Sequence, residues 1–454
     1  MRSTFLNVVR PLARTAVRRH RLTPLAQALA LSALLATPPW LQAQTGARGL
    51  QSGLPSGLQV VQGQASVATQ GTQMTVKNSA GAILNWQSFS IGAAHGVHFQ
   101  QAGAASKVLN RVVGNDPSAI FGSLTSNGQV WLLNPNGVLF GAGARVDVAG
   151  LVASTLRLND NDFLAGRYRF SAADGDRAGI RNDGALTSSF GGQVVLLGDS
   201  VTNAGSVEAP GGGVALVAAR SVELVDTGLP NLAVRVDVPA GEVLNLGRLA
   251  AAGGTVDVWG GIVNQQGLVA ADTLGVDAQG RVTLRAADTL MLGAASRTTA
   301  VGVADGAKGG QVDLLAAQVG AVGQAEVDAS GAAGGGGIRL GGGLQGKDSD
   351  VPNARAVVVG GDVVLRADAS TQGDGGRVIV WADEGTRFAG RVSARGAGTG
   401  AGGFAEVSGK GALEYTGRAD LRAPSGAPGT LLLDPQNIVI QAANPNLDGT
   451  PGSD

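Results

Sequence analysis

The chain has 454 residues, with 73 glycines, 44% hydrophobic residues, 15% charged residues and 4% aromatics. Enough apolar side chains exclude a disordered chain, and glycine without a three-residue period excludes a collagen-like one. Thirty-four basic residues balance 34 acidic ones and cysteine is absent, which removes any global field for nucleic acid, and with it disulfides, thiolate metal sites and cysteine nucleophiles.

The N-terminus reads as a targeting segment. Residues 1–21 carry Arg2, Arg10, Arg14, Arg18, Arg19 and Arg21 and no acid, an unusually long basic region. The apolar run PLAQALALSALLA (24–36) follows, then Pro38-Pro39 and the small-residue site LQAQ. This is the order of a secretory signal, expected over 1–43 with cleavage after Ala43. The apolar run is too short for a bilayer span of about 20 residues, and no later segment is long enough, so the mature chain is expected to carry no membrane-spanning helix.

From residue 58 onward, short runs alternate apolar and polar residues between Gly, Asn or Asp, and helical periodicity is nearly absent. GGQVVLLGD (191–199) recurs as GGGVALVAA (211), GGTVDVWGG (253), GGQVDLLAA (309), GGDVVLRAD (360) and GGRVIVWAD (375). A second element, Asn followed by Gly, recurs at Asn182, Asn203, Asn245 and Asn264. The first two steps, Asn182 to Asn203 and Asn203 to Asn245, are 21 and 42 residues. A period near 20 residues, built of strands and turns, reads as a solenoid. Leucine-rich repeats share that period but require an L-x-x-L-x-L pattern that this sequence lacks. A row of separate β-sandwiches would show turns without the long register. The expected fold is all-β: a right-handed parallel β-helix with an N-terminal cap. Stacked at about 4.8 Å, roughly 20 coils would make a rod on the order of 100 Å long. Val, Leu, Ile and Ala are expected to fill the interior, with Gly and Asn at left-handed corners. The exposed sheet edge at the N-terminal end needs a cap, which either residues 58–100 or the repeat-breaking LNDNDFLAGRYRF (158–170) could supply. After residue 280 the register loosens to 25–30 residues, as loops of variable length on one face would produce. The chain stops in the polar QAANPNLDGTPGSD with no cap in view, the mark of the front of a longer filament or a truncated one.

LLNPNGVLFG (132–141) holds the most informative turn. Asn134 can bond its own backbone, Pro135 presets φ, and Gly137 accepts a left-handed conformation, as a type I turn needs. Its surroundings, VLNRVVGNDPSAIFGSLTSNGQVWLLNPNGVLFGAGARVDVAGLVASTL (108–156), resemble the hallmark segment of two-partner secretion exoproteins of the filamentous-haemagglutinin type. NSAGAILNWQSFSIGAAHGVHFQQ (78–101) resembles the segment that precedes it. GDGGRVIVWADEGTRFAGRVSARG (373–396) and GTLLLDPQNIVI (429–440) look like the start of the family's repetitive shaft. The resemblance implies a secretion domain over 44–295, a capped right-handed β-helix with extra-helical β elements, and a shaft from 296 to 454. It implies export through the periplasm of a Gram-negative bacterium by an outer-membrane β-barrel transporter with POTRA-type domains. The chain would cross unfolded, fold outside, and act at the cell surface or in the medium as an adhesin-like filament or the carrier of a distal effector, with a receptor on a host-cell or bacterial surface. Asn134, Pro135, Asn136 and Gly137 match the export motif, and Asn110 and Arg111 a neighbouring characteristic segment. Val138 replaces a frequent Ile conservatively. The NPNL at 444–447 reads as a tail turn. Whether the Asn134–Gly137 turn touches the transporter or only shapes the region stays open at this level.

Enzyme chemistry finds little to stand on, and no cofactor or metal is expected. His95 and His98 have no H-E-x-x-H context and read as loop or strand-surface residues. NDND (159–162) lacks the glycine and distal glutamate of a calcium loop and reads as a solvated loop. No G-x-S-x-G elbow or phosphate loop is present. Trp131, Trp259 and Trp381 lie in strand patterns and read as core. The rival function, a β-helical carbohydrate-active enzyme, requires clustered carboxylates in a groove, whereas Asp and Glu are scattered singly here.

Overall fold

The computed structural model describes residues 53–226, 232–273, 275–276 and 280–434. The expected signal peptide, the NPNL tail turn and most of DPQNIVI lie outside the described residues.

The chain forms a right-handed parallel β-helix. Two sheets run along it; among the described residues the larger has 25 strands, lateral ones joined to it included, and the smaller 14. The larger covers two sides of the coil because long strands turn a corner without breaking. Thr255–Gln265 alternates inward and outward, slips register between Gly260 and Ile262, and resumes on the next side. The bulge supplies the bend. An inward column shows how one coil lies on another: Val108, Val130, Leu151, Val194, Val214, Val256, Val282, Val312, Ile338 and Val378 follow each other in register, each 1% exposed or less. Each such side chain contributes about 1.5–3 kcal/mol when fully buried. The ladders run without a break from the first coils to Thr430–Leu432, which is incompatible with separate sandwiches.

Residues 58–100 supply the cap. Strand β1 (Gln59–Gln62) pairs antiparallel with β4 (Ala82–Trp86), and β2 (Ala65–Gln70) with β3 (Gln73–Asn78). Strands β3 and β4 then begin the two parallel ladders. The 158–170 stretch, the other expected candidate, lies on the flank of the solenoid instead. It forms part of a lateral antiparallel sheet in which Arg157–Leu158, Tyr168–Ser171, the far half of Gly213–Asp226 and Leu232–Pro239 pair in turn. These are the extra-helical β elements.

Several local expectations are corrected. Asn182, Asn203 and Asn245 are not left-handed corners; among the described residues the only non-glycine with positive φ is Gln345. They point inward and stack, Asn182 Nδ2 donating to Asn203 Oδ1 at 2.8 Å and Asn203 Nδ2 to Asn245 Oδ1 at 2.8 Å. The ladder continues through Asn245 Nδ2 to Gln265 Oε1 at 2.7 Å. The fourth member is therefore Gln265. Asn264 faces outward and bonds Glu242. GGDVVLRAD also differs from its lookalikes, because its strand Val364–Arg366 belongs to the smaller ladder. The glycine doublets serve two purposes. Gly191, Gly211 and Gly253 have φ of 76°, 64° and 69° and make turns. Beyond residue 300 several glycines instead mark places where chain crosses chain, while Gly334 and Gly341 keep positive φ. A Cβ on Gly335 would stand 2.0 Å from Ala367 O, and one on Gly375 2.1 Å from Ala394 O. This closed third side accompanies the longer step, seen in Asp313–Arg339 and Asp368–Arg395 contacts 26 and 27 residues apart.

Candidate functional site

The strand Gln129–Leu133 ends at Asn134, and Val138–Phe140 starts the next side of the coil. Between them Gly137 N–H donates to Asn134 O at 3.1 Å, closing the expected four-residue turn, with Gly137 at φ 120°. Asn134 is 0% exposed and its amide is fully used. Nδ2 donates to Asp116 O and Ser118 Oγ, both at 3.0 Å. Oδ1 accepts from the backbone N–H and the Nδ2 of Asn136, also at 3.0 Å. The backbone joins both neighbouring coils: Asn134 N–H donates to Ser154 O and Ser118 N–H to Gly137 O. Asn136 is exposed, and its Nδ2 also reaches Gly114 O at 2.9 Å.

Asn110 and Arg111 lie one coil earlier, opposite Leu132 and Leu133. The alternation of a strand sends them to opposite faces. Asn110 points inward at 0% exposure, its Oδ1 accepting from Trp86 Nε1 at 2.9 Å and its Nδ2 donating to Trp131 O at 3.3 Å. Arg111 points outward, where Nη2 donates to Leu158 O at 2.9 Å and pairs with Asp160. It thereby ties the solenoid to the lateral lobe.

The lobe covers an apolar outer face. Ile83, Leu109, Trp131, Val152, Val195 and Ala215 form one outward column, all 5% exposed or less. Trp131 is at the centre, with ring centroids of Tyr168, Phe163 and Phe170 at 4.7, 5.5 and 6.1 Å. The NDND stretch is no solvated loop. Asn159 caps a short helix, Asp160–Leu164, its side chain accepting from Asn161 N–H at 2.9 Å. Asp160 and Asp162 occupy the first turn and pair with Arg111 and Arg167.

Between the turn and the lobe runs a groove of about 800 Å³, lined by Arg111, Pro135, Asn136, Arg157, Arg169 and Phe170 among others. The six residues singled out from the sequence thus divide. Arg111, Pro135 and Asn136 line the groove, while Asn110, Asn134 and Gly137 are buried and build its wall. Sequence reasoning missed Arg157, Arg169 and Phe170. The visible signal was a repeat-breaking stretch with three aromatics behind an Asn cap and an acidic first turn. Arg157 pairs with Asp176 at 3.0 Å, and that guanidinium holds the Asp176 carboxyl below the usual range. Arg169 pairs with Glu223 at 3.0 Å.

The remaining candidates lie elsewhere. His98 is exposed on its strand, its Nδ1 2.9 Å from Thr125 Oγ1, and His95 sits in the turn before that strand. Among the described residues no three His, Asp or Glu side chains gather as a metal site, and no helix is long and apolar enough to cross a membrane. Trp381 is 5% exposed, but Trp259 is only partly buried and stacks under Arg285, 4.9 Å from ring centroid to guanidinium carbon. Asp257 and Asp313 share an outward column with Thr283 between them, and Arg339 holds Asp313 at 2.6 and 2.9 Å.

Comparison with known proteins agrees with this architecture. Residues 51–365, more than half of the chain, match the TPS secretion domain family. The HMW1 secretion domain of Haemophilus influenzae superimposes with a TM-score of 0.75 at 29% identity, covering 84% of this chain and 100% of that domain. Two heme/hemopexin-binding proteins of Haemophilus influenzae are 38% identical over 168 residues and 40% identical over 110. Those matches take in 35% and 24% of this chain and span only 18% and 12% of the relatives' own lengths. Family match, superposition and fold converge: the chain belongs to the TPS secretion domain family, that of the exported member of two-partner secretion.

Proposed function

We propose that this chain is a secreted, non-enzymatic exoprotein whose hallmark segment is read by a dedicated outer-membrane β-barrel transporter, through periplasmic POTRA-type domains, as that segment coils and before the rest of the chain crosses unfolded. Arg111, Pro135 and Asn136 are the residues that carry the reading. The observation behind it is the division of the hallmark residues: three buried ones build the coil, and three face one groove between solenoid and lobe. Residues on accessible loop surface are the ones a partner can touch. In this reading 44–295 act as the export domain and 296–454 as the front of a surface shaft, adhesive itself or carrying an effector to a receptor on a host or bacterial cell. The heme/hemopexin-binding name of the two relatives is compatible with a carried function. Likeness over 18% and 12% of their lengths supports a shared export module more than a shared ligand.

Export is the test. The chain is expressed with and without its neighbouring transporter, as wild type, Asn136→Ala, Arg169→Ala and Asn134→Ala, and release into the medium is measured beside the fold of each purified chain. The expected result is transporter-dependent release, reduced in Asn136→Ala with the fold intact. Normal release of Asn136→Ala and Arg169→Ala would reduce the groove to a structural feature. Release without any transporter would overturn the reading.

A further inference from the structure

The segment 341–353 leaves the coil between strands Gly337–Leu340 and Ala354–Val359 and folds over the outer face of a neighbouring coil. Beneath it lies Trp381, whose Nε1 donates to Asp383 Oδ1 at 3.0 Å. A Cβ on Gly346 would come within 2.5 Å of the indole, so the segment rests directly on the ring. Asn353 Nδ2 fastens it, donating to Gly346 O at 3.0 Å and Asp383 Oδ1 at 3.2 Å. At its apex Gln345 is left-handed, φ 53°, a conformation that costs an L-residue roughly 1–2 kcal/mol. Its N–H points at Glu406, 0% exposed, and lies 3.0 and 3.3 Å from the two carboxyl oxygens.

We infer that segment 341–353 is a lid whose hold on Trp381 weakens when Glu406 loses its proton. A neutral carboxyl beneath the lid still accepts the Gln345 N–H through its carbonyl oxygen. A carboxylate there must do without water, and its surroundings offset that only in part. Gln345 donates from the lid and Ser408 from its own strand; Lys347 of the lid attracts, and Asp434 beyond the last strand repels. The nearby charges are engaged elsewhere: Arg339 with Asp313 and Asp348, and Asp383 with Trp381 and Asn353. Burial pushes the Glu406 carboxyl above its usual range. The sign follows from linkage. The closed lid has the higher pKa and the open lid, with Glu406 hydrated, the lower one, so protons favour closure and rising pH favours opening.

Hydrogen exchange at the Gln345 and Gly346 amides, corrected for the intrinsic pH dependence of exchange, reads the lid directly. In the mature chain, protection is expected to fall as pH rises above the usual carboxylate range, and to become independent of pH in Glu406→Gln. Asp434→Asn, which removes the repulsion without touching the lid, should move the transition to lower pH and serves where Glu406→Gln fails to fold. Protection that is constant or rises with pH in the wild type overturns the inference, as does an equal fall in Glu406→Gln or an unmoved transition in Asp434→Asn.

Discussion

Replacing Asn134 by alanine tests the claim that the Asn134–Gly137 turn is first of all a structural joint. The side chain makes four hydrogen bonds at 3.0 Å from a position with no exposure. Alanine removes all four, but the partners left behind are not equivalent. Ser118 Oγ is buried, and such a stranded group costs about 1–3 kcal/mol. Asp116 and Asn136 are exposed, so water can recover their groups, leaving about 0.5–1.5 kcal/mol for each lost bond. The total for Asn134→Ala is about 2.5–7.5 kcal/mol. Asn136→Ala loses only two bonds, to Gly114 O and to Asn134 Oδ1, which keeps the backbone N–H of residue 136, and should cost about 1–3 kcal/mol. Guanidinium unfolding of the purified mature chain, followed by circular dichroism and by exchange at the amides of 129–140, separates the two variants. Equal midpoints, or a cost below about 1 kcal/mol for Asn134→Ala, would refute the reasoning.

Three further outcomes follow from the packing. Asn203→Ala interrupts the buried amide ladder, stranding Asn245 Oδ1 and leaving Asn182 Nδ2 only its bond to Ser206 O; denaturant titration should show a loss of about 2–4 kcal/mol. Trp131→Ala removes the ring on which Phe163, Tyr168 and Phe170 gather; it should cost about 3–5 kcal/mol, with exchange protection lost first in 157–171. Asp257, partly buried beside Thr283 and Asp313, has its carboxyl pushed up to about 6 by desolvation, against 3.8 in a model peptide. The folded chain binds that proton more tightly than the unfolded one, so its stability falls as pH rises from about 4 to about 6. Asp257→Asn should therefore stabilise by about 1–3 kcal/mol at pH 8 and by almost nothing at pH 3.5, as paired melts at the two pH values would show.

Much of the fold was legible because a solenoid repeats its register in the sequence. The steps between Asn182, Asn203 and Asn245 are the steps of the ladder itself. Spacing reveals that residues stack, not which way they point. Asn at a corner and Asn in an interior amide ladder leave the same period, and so the direction was misread. The shift from Asn264 to Gln265 shows the same limit: an amide one residue along satisfies the ladder, and register decides between them. The glycine doublets were legible as glycine and not as purpose, because a left-handed turn and a crossing backbone both exclude Cβ. At the candidate site, the turn was readable from Asn, Pro and Gly chemistry, while the groove was not, since its second wall comes from a stretch with no repeat to compare.

That second wall nevertheless has a cause in the sequence. An outward column on a solenoid should be polar, and from Asp257 through Thr283 and Asp313 to Arg339 it is. Before Asp257 the same column reads Ile83, Leu109, Trp131, Val152, Val195 and Ala215. Such a face cannot be left to water, so the chain departs from the coil at 157–171 and in the strands 219–226 and 232–239, which fold over it. The lobe ends where the column turns polar. Its near edge falls beside the Asn134–Gly137 turn, and Arg111 holds it there through Leu158 and Asp160. The groove is thus the seam between a capped apolar face and the turn that joins two sides of a coil. Any change that loosens the lobe, Trp131→Ala foremost, should open the groove without altering one residue of the Asn134–Gly137 turn.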